Sequence, residues 1–140
     1  MTLIIRAFAP SDESAVVALW HACGLIVPWN DPHQDIQYKL ANQPELFLVG
    51  ELAGQVVAAA MAGDDGHRGW IYYLAVEPEH QRRGYGRQIV LAAVELLRKR
   101  SCPKVQLMVR SSNLGVAGFY ESLGFELNQV QVFGMRLDGR

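Results

Sequence analysis

The chain has 140 residues, half of them hydrophobic and 19% charged, with a formal net charge of -1. That length suits one domain with a proper core and no disulfide or metal staple, and the composition excludes a disordered chain. A charge so near zero gives no overall field for nucleic acid or an anionic membrane, so neither is an expected partner and any phosphate recognition must be local.

Residues 3–8 read as a first strand, and Pro10-Ser11-Asp12 opens a helix with Val16, Leu19, Trp20 and Cys23 on its apolar face and Gly24 in the C′ position. Asp31-Pro32 is an N-cap followed by proline at the first helical position, starting a second helix that runs to about Asn42, and Pro44 prevents its extension. Residues 46–52 and 55–61 are apolar strands separated only by Ala53-Gly54, which suits a tight antiparallel hairpin. Residues 63–69 form a polar, glycine-rich loop before a strand over residues 71–76.

After that strand comes Gln81-Arg82-Arg83-Gly84-Tyr85-Gly86 and then a long amphipathic helix carrying Ile89, Val90, Ala93, Val94 and Leu97, with a basic last turn. Two glycines let the chain turn sharply and leave backbone N–H groups uncovered. The first N–H groups of a helix have no partner within it, so this end is a site for a phosphate or pyrophosphate. Arg82, Arg83 and Arg87 add full positive charges. The bland alternative is a plain strand-to-helix turn with solvated arginines; a dinucleotide turn is disfavoured because Ile89 stands where a third glycine belongs.

Residues 104–109 read as the next strand. Ser112-Asn113 caps a short helix with Val116, Phe119, Tyr120 and Leu123 on one side; Gly124 ends it, and Phe125 begins the last strands, which run to about Leu137. Cys23 and Cys102 lie at neither zinc nor redox spacing, and the four histidines form no i, i+4 pair, so no metal is expected. No run approaches a membrane span and the N-terminus lacks a signal-peptide layout, which points to the cytoplasm. The order of elements describes an α/β (α+β) chain: a single domain over residues 1–140 with a mixed central sheet and helices on both faces.

Two stretches carry a family resemblance: Tyr73-Leu74-Ala75-Val76-Glu77-Pro78 followed by Gln81-x-x-Gly84-x-Gly86, and Asn113 with Tyr120-Glu121-Ser122-Leu123-Gly124-Phe125. Together they resemble the GNAT superfamily of acetyl-coenzyme-A-dependent N-acetyltransferases. Pro28-Trp29-Asn30-Asp31-Pro32 is further similar to the YpeA-type bacterial subgroup. The resemblance implies the GNAT-like fold and a transfer of acetyl from acetyl-CoA to an amine. It also implies that Leu74, Ala75 and Val76 offer backbone groups to the pantetheine arm, and that backbone N–H groups from Arg82 to Arg87 hold the pyrophosphate. Asn113 takes the position of a coenzyme-contacting asparagine and Tyr120 that of the general acid toward the departing thiolate.

Acetyl transfer needs a neutral nitrogen. A lysine-like amine with pKa near 10.4 is neutral in about one molecule in 2,500 at pH 7, a handicap of roughly 4.6 kcal/mol, whereas an α-amino group loses only about 1 kcal/mol. Glu77 is the first choice of base, with His67 and Glu51 behind it. Met108 stands where ribosomal-protein N-terminal acetyltransferases sharing Val-Arg-x-Ser-Asn (residues 109–113) carry a glutamate, which argues against a peptide N-terminus as acceptor. Asp31, Asp35, Asp64, Asp65 and Glu77 either attract a cationic amine or form a solvated surface, and Trp29 is either core or a wall of the acceptor pocket. The rival readings are a non-catalytic acyl-CoA-binding or sensing module and a protein-interaction domain using a sheet edge; a homodimer is possible through the same edge.

Overall fold

In a computed structural model that describes residues 2–113 and 115–139, five of the expected strands pair into one sheet ordered β1-β2-β3-β4-β5. The strands are β1 (Ile4–Ala7), β2 (Phe47–Leu52), β3 (Gln55–Asp64), β4 (Gly69–Val76) and β5 (Val105–Leu107), antiparallel except for the parallel β4–β5 pair. The helices are α1 (Glu13–Ala22), α2 (Pro32–Ala41), α3 (Tyr85–Lys99) and α4 (Ala117–Ser122). By internal contacts the chain falls into two compact units, Met1–Leu107 and Met108–Arg140, and the whole sheet belongs to the first.

Local chemistry explains most of these boundaries. The Asp31 carboxylate accepts hydrogen bonds from the backbone N–H groups of His33 and Gln34 at 2.9 and 3.4 Å, and Pro32 occupies the first turn of α2, as the sequence indicates. Ala53 and Gly54 have φ of 49° and 80°, the doubly positive pair of a tight hairpin turn that matches strand twist. Gly24 ends α1 at φ 71°, with its N–H donating to the His21 carbonyl and that of Leu25 to Trp20.

Residues 63–69 depart from expectation. Gly63 and Asp64 continue β3 and Gly69 opens β4, so the loop shrinks to residues 65–68. Both glycines are close-approach sites: a Cβ at Gly69 would lie 2.9 Å from the Leu97 side chain of α3, and one at Gly63 would strike the Tyr72 hydroxyl. The short loop is fastened by Asp65, whose carboxylate accepts from the N–H groups of His67 and Arg68 at 2.8 and 2.6 Å and from the Trp70 indole at 3.0 Å.

Each face of the sheet is covered. On one side Val16, Leu19 and Trp20 of α1 and Ile36 of α2 join Phe47, Val49, Ala59, Met61 and Ala75 in a buried cluster. Trp20 is completely buried and stacks on Tyr73 with centroids 4.0 Å apart. The alternate strand positions Leu48, Ala58, Ala60 and Ala62 are also buried, as are Ile89, Val90, Ala93 and Leu97 of α3, which packs against β3 and β4. Alanines at those sheet positions leave room for the helix to approach closely.

Asp12 ties β1 to the start of α1. Its carboxylate accepts two hydrogen bonds from Arg6, at 2.7 and 2.9 Å, and one from the Ala9 N–H at 2.8 Å, while Arg6 also reaches Glu51 at 3.2 Å. The Arg6 hydrogen bonds hold the Asp12 carboxyl below its ordinary value of 3.8 despite burial. A depressed folded-state pKa contributes stability that is complete above 3.8 and fades as the pH falls below it. Asp12→Ala is expected to cost about 2–3 kcal/mol in urea unfolding at neutral pH and to weaken the acid dependence below pH ~4; unchanged stability would remove this bridge from the account.

In the second unit α4 ends in a full Schellman motif: the Gly124 N–H donates to Glu121 and that of Phe125 to Tyr120, with Gly124 at φ 97°. Two expectations fail here. Val116, not Asn113, occupies the N-cap position of α4, and the Asn113 N–H instead closes a turn onto the Arg110 carbonyl at 2.9 Å. Among the described residues no strand follows Leu107, and Leu127, Val130, Val132, Phe133, Met135 and Leu137 are exposed. Their apolar pattern satisfies strand propensity, but a strand exists only with a partner ladder, and these residues join none.

Candidate active site

β4 is the strand on which the site is organised. β3 advances two residues from Ala59 to Met61 while β4 advances three, from Ala75 back to Tyr72, so one extra β4 residue is accommodated in a bulge. Tyr73 lies in it at φ 54°, a left-handed conformation uncommon for an aromatic residue. β5 pairs with β4 only from Gly69 to Ile71. Beyond that point residues 72–76 have β3 on one side and, among the described residues, no strand on the other. Leu74, Ala75 and Val76 therefore sit on an unpaired edge able to accept an extended ligand.

The turn after β4 is held to the strand by its own side chains. The Val76 carbonyl accepts from the Gln81 amide at 2.9 Å and from the Cys23 thiol at 3.2 Å, and the Glu77 N–H donates to Val57 at 2.8 Å. Burial pushes the Cys23 thiol up, keeping it protonated as the donor this contact needs. Gln81 thus braces the turn. Arg82 and Gly84 take φ of 64° and 84°, and Gly84 is the N-cap of α3.

A glycine N-cap has no side chain to satisfy the first N–H groups of the helix, and α3 has no side-chain cap. A Cβ on Gly84 would meet nothing within 4 Å beyond its chain neighbours, so the space beside this cap is open. Arg82, Arg83 and Arg87 are exposed around it and take part in no ion pair among the described residues, while Tyr85 and Gly86 are half-buried in the first turn. Bare N–H donors, a helix N-terminus and three uncommitted guanidinium groups are the chemistry that a pyrophosphate requires.

On β4 lies also a cleft of about 530 Å³, walled by α2, β3 and the first half of β4. α2 contributes Asp35, Tyr38 and Lys39; β3 contributes Met61, Gly63 and Asp64; β4 contributes Trp70, Tyr72 and Tyr73. The Tyr73 hydroxyl donates to Asp35 at 2.5 Å, and burial together with that carboxylate pushes the phenol well above its ordinary range. The Lys39 ammonium, almost wholly buried, donates to the Ala62 carbonyl, and burial lowers its pKa.

The other residues singled out in the sequence lie elsewhere. Glu77 follows β4 and does not line the cleft. His67 is exposed in the loop, Glu51 pairs with Arg6, and Trp29 is 49% exposed and outside the cleft, so the core tryptophan is Trp20 rather than Trp29. Asp35, Asp64 and Asp65 do line the cleft, though Asp64 also pairs with Arg100 at 3.1 Å. In the second unit Asn113 is exposed and Tyr120 is half-buried, its ring edge-on to Phe119 and Phe125 at 5.0 and 5.8 Å. Burial raises the Tyr120 phenol above 10, so it remains a protonated donor at neutral pH.

The profile of the acetyltransferase (GNAT) family matches residues 14–125, most of the chain. The chain belongs to this family. The acetyltransferase is 45% identical over 133 residues to the acetyltransferase YE1169 of Yersinia enterocolitica, covering 95% of this chain and 94% of that one. Its fold is similar to that of Ard1 from Thermoplasma volcanium, with a TM-score of 0.82, 25% identity and coverage of 91% and 85% of the two chains. It is also similar in fold to AAC(6')-Iy in complex with the bisubstrate analogue CoA-S-monomethyl-acetylneamine, with a TM-score of 0.81, 16% identity and coverage of 97% and 99%. The mixed sheet with helices on both faces is therefore the GNAT fold, as its motifs imply.

Sequence reasoning missed the Tyr73 bulge and Lys39 in this acetyltransferase. Nothing local marks a bulge at a tyrosine. Lys39 had one available signal, its i, i+4 spacing from Asp35 on a face shared with Ile36.

Proposed function

We propose that this acetyltransferase moves an acetyl group from acetyl-CoA to a primary amine, by direct attack of the amine within a ternary complex. The observation that carries the reading is the bare N-terminus of α3, uncapped behind Gly84 with Arg82, Arg83 and Arg87 exposed beside it in sequence, one short turn after the unpaired edge of β4. One co-substrate uses both features: a pyrophosphate on the N–H groups and a pantetheine arm along Leu74, Ala75 and Val76. Acetyl-CoA supplies the activated acyl group as a thioester.

The chain's residues have distinct tasks in this reading. Gln81 fixes the turn to Val76, so the N–H groups of residues 82–87 are preorganised before the co-substrate arrives. A backbone N–H of β4 polarises the thioester carbonyl, a role worth roughly 3 kcal/mol per donor. Tyr120 is assigned from its motif the proton or hydrogen bond for the leaving sulfur, and Asn113 a coenzyme contact. Full proton transfer from a phenol near 10 to a thiolate whose thiol has a pKa near 8.5 is uphill by roughly 2 kcal/mol, and the raised pKa of Tyr120 makes it steeper, so Tyr120 acts mainly as a hydrogen-bond donor. Glu77 is assigned the base, directly or through a water molecule.

The YpeA-type assignment rests on residues 28–32 alone. We further assign a cytoplasmic location and a single functional domain; among the described residues no helix is long and apolar enough to cross a membrane. Calorimetric titration with acetyl-CoA, followed by thiol release over a broad amine panel, tests the proposal. Binding in the micromolar range with turnover is expected. Tight binding without turnover over the panel would favour the non-catalytic acyl-CoA sensor, and absence of binding at millimolar acetyl-CoA would end the acetyltransferase reading for this site.

A further inference from the structure

The cleft between α2 and β4 has an unusual charge arrangement. Asp35 and Lys39 stand one helical turn apart on α2 and both line it, about 5–6 Å between Cβ atoms by helix geometry, yet they do not pair with each other. Asp35 Oδ2 accepts from Tyr73, and among the described residues the other carboxylate oxygen has no side-chain partner. Lys39 donates to one carbonyl, that of Ala62, although an ammonium carries three donors. Although only 6% of Lys39 is exposed, it lines the cleft, so its remaining N–H groups are available to a molecule bound there. A buried ammonium with spare donors, beside a carboxylate with a spare acceptor, is complementary to a small molecule carrying both an amine and a carboxylate.

Resting on the acetyltransferase reading above, we propose that the acceptor is a free amino acid or closely similar aminocarboxylate. Its amino group is held at Asp35, beside the Tyr73 bulge, and its carboxylate at Lys39. The exposed rings of Tyr38 and Tyr72 and the half-buried Trp70 supply apolar walls for the remainder of the molecule. A volume of about 530 Å³ suits a small molecule of this size. Lys39 also selects against alternatives: a polyamine would set a second cation against a buried ammonium, and a protein lysine brings no carboxylate at the required spacing.

The chemistry balances without a further reactant. The deprotonated amine nitrogen forms a bond to the acyl carbon, the carbon–sulfur bond breaks, and the sulfur leaves with the proton the nitrogen gives up. The products are the N-acetylated aminocarboxylate and free coenzyme A.

The test compares matched pairs, L-tyrosine with tyramine and L-leucine with 3-methylbutylamine, using thiol release with wild-type protein and Lys39→Met. Wild-type kcat/KM is expected to favour the amino acid of a pair at least roughly tenfold, the scale of one charge-assisted hydrogen bond. Lys39→Met should bring that ratio to about one through a raised KM, with acetyl-CoA affinity by calorimetry unchanged. Equal or better use of the decarboxylated amines by wild type, no turnover of either amino acid despite acetyl-CoA binding, or a preference that survives in a folded Lys39→Met would each overturn the assignment while leaving the donor site standing. Should Lys39→Met fail to fold, the wild-type ratios decide alone. Failure of wild-type protein to bind acetyl-CoA would instead remove the reading on which the assignment rests.

Discussion

Tyr120→Phe is expected to lower kcat ten- to a thousand-fold while leaving the affinity for acetyl-CoA within about twofold of wild type. The substitution removes one hydroxyl and keeps the ring, so the edge-on contacts with Phe119 and Phe125 and the Schellman end of α4 survive. On the proposed role, what is lost is a donor that matters only as the carbon–sulfur bond breaks, and a group used only in the transition state appears in kcat rather than in binding. Because burial raises the Tyr120 pKa, the phenol stays protonated across the neutral range, and any loss of rate from its ionisation belongs above pH 10. Steady-state kinetics beside calorimetric titration checks the split. An unchanged kcat would leave Tyr120 as a packing residue.

Gly84→Val is expected to weaken acetyl-CoA binding by roughly a hundredfold or more. Gly84 has φ 84°, where a β-branched residue is strained by about 1–3 kcal/mol, so the turn tends to reorganise and the donors of the first turn of α3 lose their common aim. The side chain would also fill space beside the N-cap that is now open. Beyond its own chain neighbours, nothing among the described residues lies within 4 Å of that Cβ, so the variant is expected to fold, with the core of α3 at Ile89, Val90, Ala93 and Leu97 intact. A folded Gly84→Val that binds acetyl-CoA normally would remove the pyrophosphate role of the turn.

The two variants probe different units of the chain, and the legibility of each differs for a physical reason. Features fixed by neighbours in sequence were readable: the Asp31 cap with Pro32 behind it, the Ala53-Gly54 hairpin, the helix ends at Gly24 and Gly124, and the glycine turn into α3. Features fixed by distant neighbours were not. Gly63 and Gly69 looked like loop residues because glycine signals both flexibility and close approach, and only the packing of Tyr72 and Leu97 against them distinguishes the two. The Tyr73 bulge depends on the mismatch of two strands, which no single strand encodes. Residues 125–137 show the converse: their apolar pattern promises strands, and the missing ladder leaves them outside the sheet.

For the proposed site, the donor half is legible in motifs because a pyrophosphate would be met by backbone, and backbone exposure needs glycine at fixed places. The proposed acceptor half is not. Asp35 and Lys39 acquire meaning only when β3 and β4 close a cleft over α2, where Lys39 becomes buried against the Ala62 carbonyl and Asp35 meets Tyr73. A lysine in a helix otherwise reads as a solvated charge.

The central claim is that the chain transfers acetyl from acetyl-CoA to the nitrogen of an amine. Mass spectrometry of products formed from isotopically labelled acetyl-CoA, purified protein and a mixture of free amino acids and simple amines tests it most directly. The account predicts that the labelled acetyl group appears on an amine nitrogen in amounts matching the free coenzyme A released. Release of coenzyme A with the label recovered only as acetate, or no protein-dependent release, would contradict it.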